Sequence, residues 1–270
     1  MFSSDFAERA VLRTGHTRNI FHSSFVEYAN DRQVVTAGAD GMLRLSFIDS
    51  EEPGRLLHEG EGMMFMFEWM PRVPVVLAAC EDGCVTRVDL RDPKPESFIE
   101  NRGNAVKALA FGHHSEHVVA LGGEGPRVLL YDVRKGGRAT PDSALASFLP
   151  ANLRGAEDPQ PQDRVARMLR LRSTETISIS GLRFSGDGRE LLASYHGDQI
   201  YTFDAWQLDA GATVGLTTKS FAGHINFDTF LKTVTYFGPS DEYVMSGSDD
   251  GHIFIWERET VRFNPILIRF

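Results

Sequence analysis

The chain has 270 residues, 42% hydrophobic and 24% charged, with a net charge of -9 at pH 7. That balance excludes general nucleic-acid binding, which needs a basic surface for phosphate contacts, and two cysteines exclude a disulfide framework and suit a reducing compartment. The longest apolar run, Pro74 to Cys80, falls far short of the roughly 20 residues that cross a bilayer, and the opening Met1 to Asp5 carries an acid and no apolar stretch of signal-peptide type. A soluble protein of the nucleus or cytoplasm is expected, with no membrane partner and no direct nucleic-acid partner.

In chain order, the first segment runs from Gly15-His16 through Asn19 to Phe25 and Val34 to Gly38, turns at Asp40-Gly41, and continues from Met42 to Phe47. The second runs Met63 to Trp69, Val75 to Cys80, turns at Asp82-Gly83, and continues Val85 to Leu90. The third runs Val106 to Phe111, Val118 to Leu121, turns at Glu124-Gly125, and continues Val128 to Tyr131. Each run is short, rich in apolar and β-branched residues, and bounded by turn residues, as half-buried strands are. From Lys135 to about Thr176 the pattern breaks, with Pro141, Pro150, Pro159 and Pro161 and a basic tail from Arg164 to Arg172. Such composition buries little apolar area and predicts a mostly flexible excursion. The fourth segment then runs Ile177 to Phe184, Glu190 to Tyr195 and Gln199 to Phe203. The fifth has Gly223-His224, Thr233 to Phe237, Tyr243 to Gly251 and His252 to Trp256.

The turns Ala39-Asp40-Gly41, Glu81-Asp82-Gly83 and Gly123-Glu124-Gly125 follow one another at intervals of 42 residues. A period of about 40–45 with acidic-Gly turns between short strands is the mark of a WD40 β-propeller. The expected fold is therefore all-β, with five four-stranded blades. The domain reading is repeats one to three over 1–134, an inter-blade insertion over 135–175, and repeats four and five over 176–270. Seven blades of this period do not fit in the chain, so the propeller is expected to be incomplete by two, with uncovered apolar flanks.

Two features bear on function. The spacing of 26 residues from His224 to Asp250, with Ser246 or Ser248 and Trp256 following, predicts a buried structural network of His, Asp, Ser and Trp; His16 and Asp40 repeat the pairing at 24 residues. These histidines read as structural rather than catalytic. In addition, Val88-Asp89-Leu90-Arg91 and Tyr131-Asp132-Val133-Arg134 both end in Asp-x-Arg, with the two arginines 43 residues apart. One blade separates them, so both guanidiniums are expected side by side on one rim. The planar arginine fork suits bidentate display toward carboxylates or carbonyls. A single Asp-x-Arg reads as a strand-end motif that caps a turn; two copies in consecutive blades put capping and display on equal terms.

The stretches Gly15 to Phe21, Glu81 to Val85 leading into Asp89-Leu90-Arg91, Tyr131 to Arg134, Phe148-Leu149-Pro150, Ala193 to Tyr195 with Ile200 to Asp204, and Ser246 to Trp256 carry a resemblance. The chain resembles the WD40 substrate receptors of the cullin-4 RING ubiquitin ligase, the cullin-4-associated factors. The nearest branch is that of factor eight and the WD-and-tetratricopeptide-repeat protein. The resemblance implies a non-catalytic receptor that docks on the ligase's propeller adaptor through Asp89, Arg91, Asp132 and Arg134 and presents a protein substrate for ubiquitination. Val88 stands where the family has an aromatic, which is expected to weaken that box alone. Relatives have a further repeat on each side, so the chain is expected to be truncated at both ends. A general WD40 scaffold of another complex is the alternative, and an enzyme with a pocket on the propeller face is the remote third.

Other constellations are weak. His113, His114 and His117 sit in a loop and lack further ligands at metal spacing. Cys80 and Cys84 flank one hairpin and read as paired strand residues. Gly122 to Gly125 lacks the Lys-Ser/Thr of a phosphate loop, and no Gly-x-Ser-x-Gly elbow is present. No cofactor and no metal are expected.

Overall fold

The computed structural model describes residues 11–26, 29, 31–92, 94–100, 103–112, 116–135, 140–153, 177–205, 214–215, 217–228 and 232–264. Blade one comprises β1 (Ile20–Phe25), β2 (Gln33–Gly38), β3 (Met42–Phe47) and β4 (Arg55–Glu59); blade two comprises β5 (Met64–Trp69), β6 (Val75–Cys80), β7 (Cys84–Asp89) and β8 (Glu96–Glu100). Blade three has β9 (Val106–Phe111), β10 (Val118–Gly123), β11 (Val128–Asp132) and β12 (Ala146–Phe148). Blade four has β13 (Ser178–Phe184), β14 (Glu190–His196), β15 (Ile200–Asp204) and, after the two-residue β16 (Val214–Gly215), β17 (Thr217–Phe221). Blade five has β18 (Val234–Phe237), β19 (Tyr243–Gly247), β20 (Ile253–Glu257) and β21 (Phe263–Asn264). The predicted all-β, four-stranded antiparallel blades are therefore present, five of them among the described residues.

Alternation along the strands sets which blades pack together, since successive side chains point to opposite sheet faces. Val35, Ala37, Leu43 and Leu45 of blade one meet Phe67, Val76 and Val88 of blade two. Leu77, Val85 and Ile99 of blade two meet Leu109, Val119 and Tyr131 of blade three. Phe148, Leu130 and Ala120 of blade three meet Leu182, Tyr195 and Phe203 of blade four, and Leu192 and Phe221 meet Val244 and Trp256 of blade five. Each apolar cluster thus lies between consecutive blades, as propeller packing requires.

Part of the segment between the third and fourth repeats belongs to the third blade. Ala146–Phe148, inside the segment read as an excursion, pairs antiparallel with β11 as the third blade's outer strand, with Phe148 1% exposed. Blades three and four pack directly, and β16 pairs in parallel with β12, stitching the two. The basic tail Arg164 to Arg172 and the terminal run Ile266 to Phe270 lie outside the described residues. Gly123 shows how tightly the third blade is built: a Cβ there would run into the Ala105 carbonyl oxygen, leaving room for glycine alone.

Candidate protein-docking surface

In every blade the second and third strands meet at a tight turn, so the third strand ends at the opposite rim. There a backbone bond recurs: Ile48 N–H donates to Arg32 O, Leu90 to Pro74 O, Val133 to His117 O, Ala205 to Arg189 O and Arg258 to Glu242 O, at 2.8–3.0 Å. This register aligns the rim position of all five blades. Blades two and three hold Asp89-Leu90-Arg91 and Asp132-Val133-Arg134 there, whereas blade one has Phe47-Ile48-Asp49, blade four Asp204-Ala205 and blade five Glu257-Arg258-Glu259.

Both boxes fold into the same fork. Arg91 Nε donates to Asp89 Oδ1 at 2.9 Å and Nη2 to Oδ2 at 2.7 Å, while the Arg91 amide donates to Oδ1 at 2.9 Å. In the third blade the matching distances are 3.0, 2.7 and 2.9 Å. The amide bond two residues on is a local Asx-type turn, and it fixes each carboxylate so that the guanidinium lands on it bidentately. Nη1 takes no part in either fork. The arginine side chains remain 66% and 64% exposed, while Asp89 and Asp132 are 27% and 12% exposed. Hydrogen bonding to its arginine lowers the Asp89 carboxyl and brings Asp132 down to about 2, so both forks are ionised across the neutral range. Leu77 and Phe98 of blade two share one small cavity wall with Val133 and Lys135, placing the third blade's box against its neighbour.

Val88 does not loosen its fork. It is fully buried in the cluster between blades one and two, and Tyr131, 2% exposed, faces the cluster between blades two and three. The residue before the aspartate contributes packing, and the fork distances are alike in both boxes.

The two histidine networks differ. His16 Nδ1 meets Asp40 Oδ1 at 2.8 Å and Nε2 meets Thr36 Oγ1 at 2.9 Å, and Asp40 also accepts the Thr17 amide at 2.9 Å. In blade five the expected contact between His224 and Asp250 is absent. Asp250 instead faces His252 at 3.1 Å, and neither ring nitrogen of His224 has a hydrogen-bond partner. The reason is loop length. The turn residue before the aspartate bonds Asn19 O in blade one, three residues past His16, but Ile225 O in blade five, directly after His224. His224 therefore lies against Trp256 at 5.7 Å between ring centroids. Trp256 donates to Ala222 O, and Ser246 donates to Thr233 O rather than to the histidine. The adjacent Asp249 is held by Lys232 in a buried ion pair that the sequence reading missed.

Elsewhere, His113 and His114 lie outside the described residues, and no cluster of His, Cys, Asp and Glu among the described residues could hold a metal. Cys80 and Cys84 are free thiols, and burial pushes Cys80 up to about 12. No helix among the described residues is long and apolar enough to cross a membrane.

The family model for "WD domain, G-beta repeat" matches residues 215–257. The chain is 28% identical over 213 residues to WD and tetratricopeptide repeats protein 1 of Mus musculus, covering 72% of this chain and 31% of that protein. It is 28% identical over 216 residues to DDB1- and CUL4-associated factor 6 of Homo sapiens, covering 72% and 23%. WD repeat protein iqw1 of Schizosaccharomyces pombe is 26% identical over 153 residues, covering 48% and 19%. The chain thus spans less than a third of the length of these relatives. Its blade-type β-sheets and the one matched WD repeat make it similar to WD-repeat proteins, a DDB1- and CUL4-associated factor among them.

Proposed function

We propose that this chain is a non-catalytic interaction module, a substrate receptor whose Asp89/Arg91 and Asp132/Arg134 forks dock on the propeller adaptor of a cullin-4 ubiquitin ligase. It acts by holding a protein substrate near the transfer machinery of other subunits, in nucleus or cytoplasm. The observation that carries this reading is the pair of matched forks in adjacent blades, each with an exposed guanidinium fixed by its own carboxylate. Pre-organisation of this kind lowers the ordering cost of binding. One relative's name ties that protein to DDB1 and CUL4, which supports the same partner here. The domain division is retained, with the third blade extended to include Ala146–Phe148.

Charge reversal of both arginines, Arg91→Glu with Arg134→Glu, is the test. In place of each fork it sets two carboxylates side by side and inverts the charge offered to the partner. The purified variant is expected to keep its circular dichroism spectrum and to lose adaptor capture in pull-down. Undiminished capture by the double variant rules out docking through the forks.

A further inference from the structure

The two forks are close to electrically neutral, because each guanidinium lies on its own carboxylate. They offer directed donors but little net charge at a distance. Most other cations of that rim are similarly offset: Arg32 faces Asp49 at 3.6 Å, Arg72 faces Glu116 at 2.8 Å, and Lys94 faces Asp92 at 3.9 Å. Arg87 and Lys135 share one cavity wall with Glu96.

Arg55 differs. It opens β4, the outer strand of blade one, with its side chain exposed, and no carboxylate pairs with it among the described residues. Its Nη2 reaches across the blade boundary to the carbonyl of Leu90, the central residue of the second blade's box, at 3.5 Å. A third guanidinium therefore stands beside the second blade's fork, contributed by a neighbouring blade and with no carboxylate paired to it among the described residues.

We infer that Arg55 is a steering residue of the docking surface, attracting an acidic face of the partner so that the neutralised forks can engage. This rests on the docking reading above and adds the charge of the partner surface and a residue outside the motif. The roles separate kinetically. An exposed rim charge acts on the association rate and its salt dependence, whereas oriented short-range bonds act on dissociation.

The experiment is biosensor kinetics of the whole chain against the purified adaptor at 50 and 500 mM salt. Wild type is compared with Arg55→Ala, Arg55→Glu, Arg55→Lys, and Arg91→Ala with Arg134→Ala. At low salt, Arg55→Ala is expected to slow association about threefold and Arg55→Glu by on the order of tenfold, with dissociation nearly unchanged. Arg55→Lys restores the rate, and the differences shrink at high salt as screening shortens the Debye length. The fork variant accelerates dissociation instead. Wild-type association rates and salt slopes in Arg55→Glu, or faster association, overturn the inference while leaving the forks' role standing. Wild-type chain that does not bind the adaptor at all removes the docking reading and this inference together.

Discussion

Asp40 and Asp250 occupy equivalent turns, and replacing each by alanine should have very different consequences. Asp40 is 4% exposed and lies against His16, which is 1% exposed. Asp40→Ala removes the acceptor for His16 Nδ1 at 2.8 Å, for the Thr17 amide at 2.9 Å and for the Met42 amide at 3.3 Å. The imidazole is left buried with one nitrogen unpaired, and an unsatisfied buried polar group costs about 1–3 kcal/mol. Against a typical stability of about 5–15 kcal/mol, that is a large fraction. Asp250 is 34% exposed and meets a similarly accessible His252, so Asp250→Ala should cost no more than about 1 kcal/mol. Acid unfolding adds a second readout. Burial alone would raise the Asp40 carboxyl, but bonds from the Thr17 amide and from His16 outweigh it and leave it below the usual carboxylate value. A carboxyl lowered in the folded state contributes stability above its unfolded pKa, and that contribution is lost as pH falls through the folded value. Asp40→Ala should therefore lose less stability than wild type between neutral pH and pH 3. Urea titrations followed by circular dichroism measure both effects. If Asp250→Ala costs as much as Asp40→Ala, the account of the two networks is refuted.

Three further outcomes follow. Gly123→Ala forces a methyl group onto the Ala105 carbonyl and should destabilise by at least about 1–3 kcal/mol, whereas Gly247→Ala, with open space around it, should stay within about 0.5 kcal/mol; a comparable melting-temperature loss in both contradicts this. In native protein at pH 8, Cys80 should resist a thiol reagent until unfolding, since its thiol is buried and raised to about 12, and rapid labelling located at Cys80 by mass spectrometry counts against that placement. Arg258→Ala should destabilise the chain and loosen blade five from blade four, because it removes the 2.9 Å pairing with Glu190 and the cation resting 5.1 Å above Tyr236; faster hydrogen exchange across β18–β20 is the readout, and unchanged exchange excludes this tie.

What could be read from the sequence was local. Inner strands and Asp-Gly turns announce themselves through β-branched runs and punctuation within a few residues, and the Asp-x-Arg forks close between residues two apart. Outer strands were harder. Ala146-Ser147-Phe148 is three residues long and lies between Pro141 and Pro150, so its pairing with Val128 to Leu130 left no pattern to detect. The spacing from histidine to aspartate does not report the fifth blade's network. The distance from His224 to the strand it enters, set by Ile225, decides the geometry. Lys232 with Asp249 and Arg55 with Leu90 join residues 17 and 35 positions apart. The fold of blade five brings the first pair together, and the packing of blade one on blade two the second.

Amide hydrogen exchange of the whole chain, alone and saturated with the adaptor, locates the docking surface most directly. The account predicts added protection at 89–91 and 132–134, at the rim where the third strands of blades two and three end, with the turns at 39–41, 81–83 and 249–251 unchanged. Protection concentrated at those turns, with the two forks exchanging as in the free chain, would contradict it.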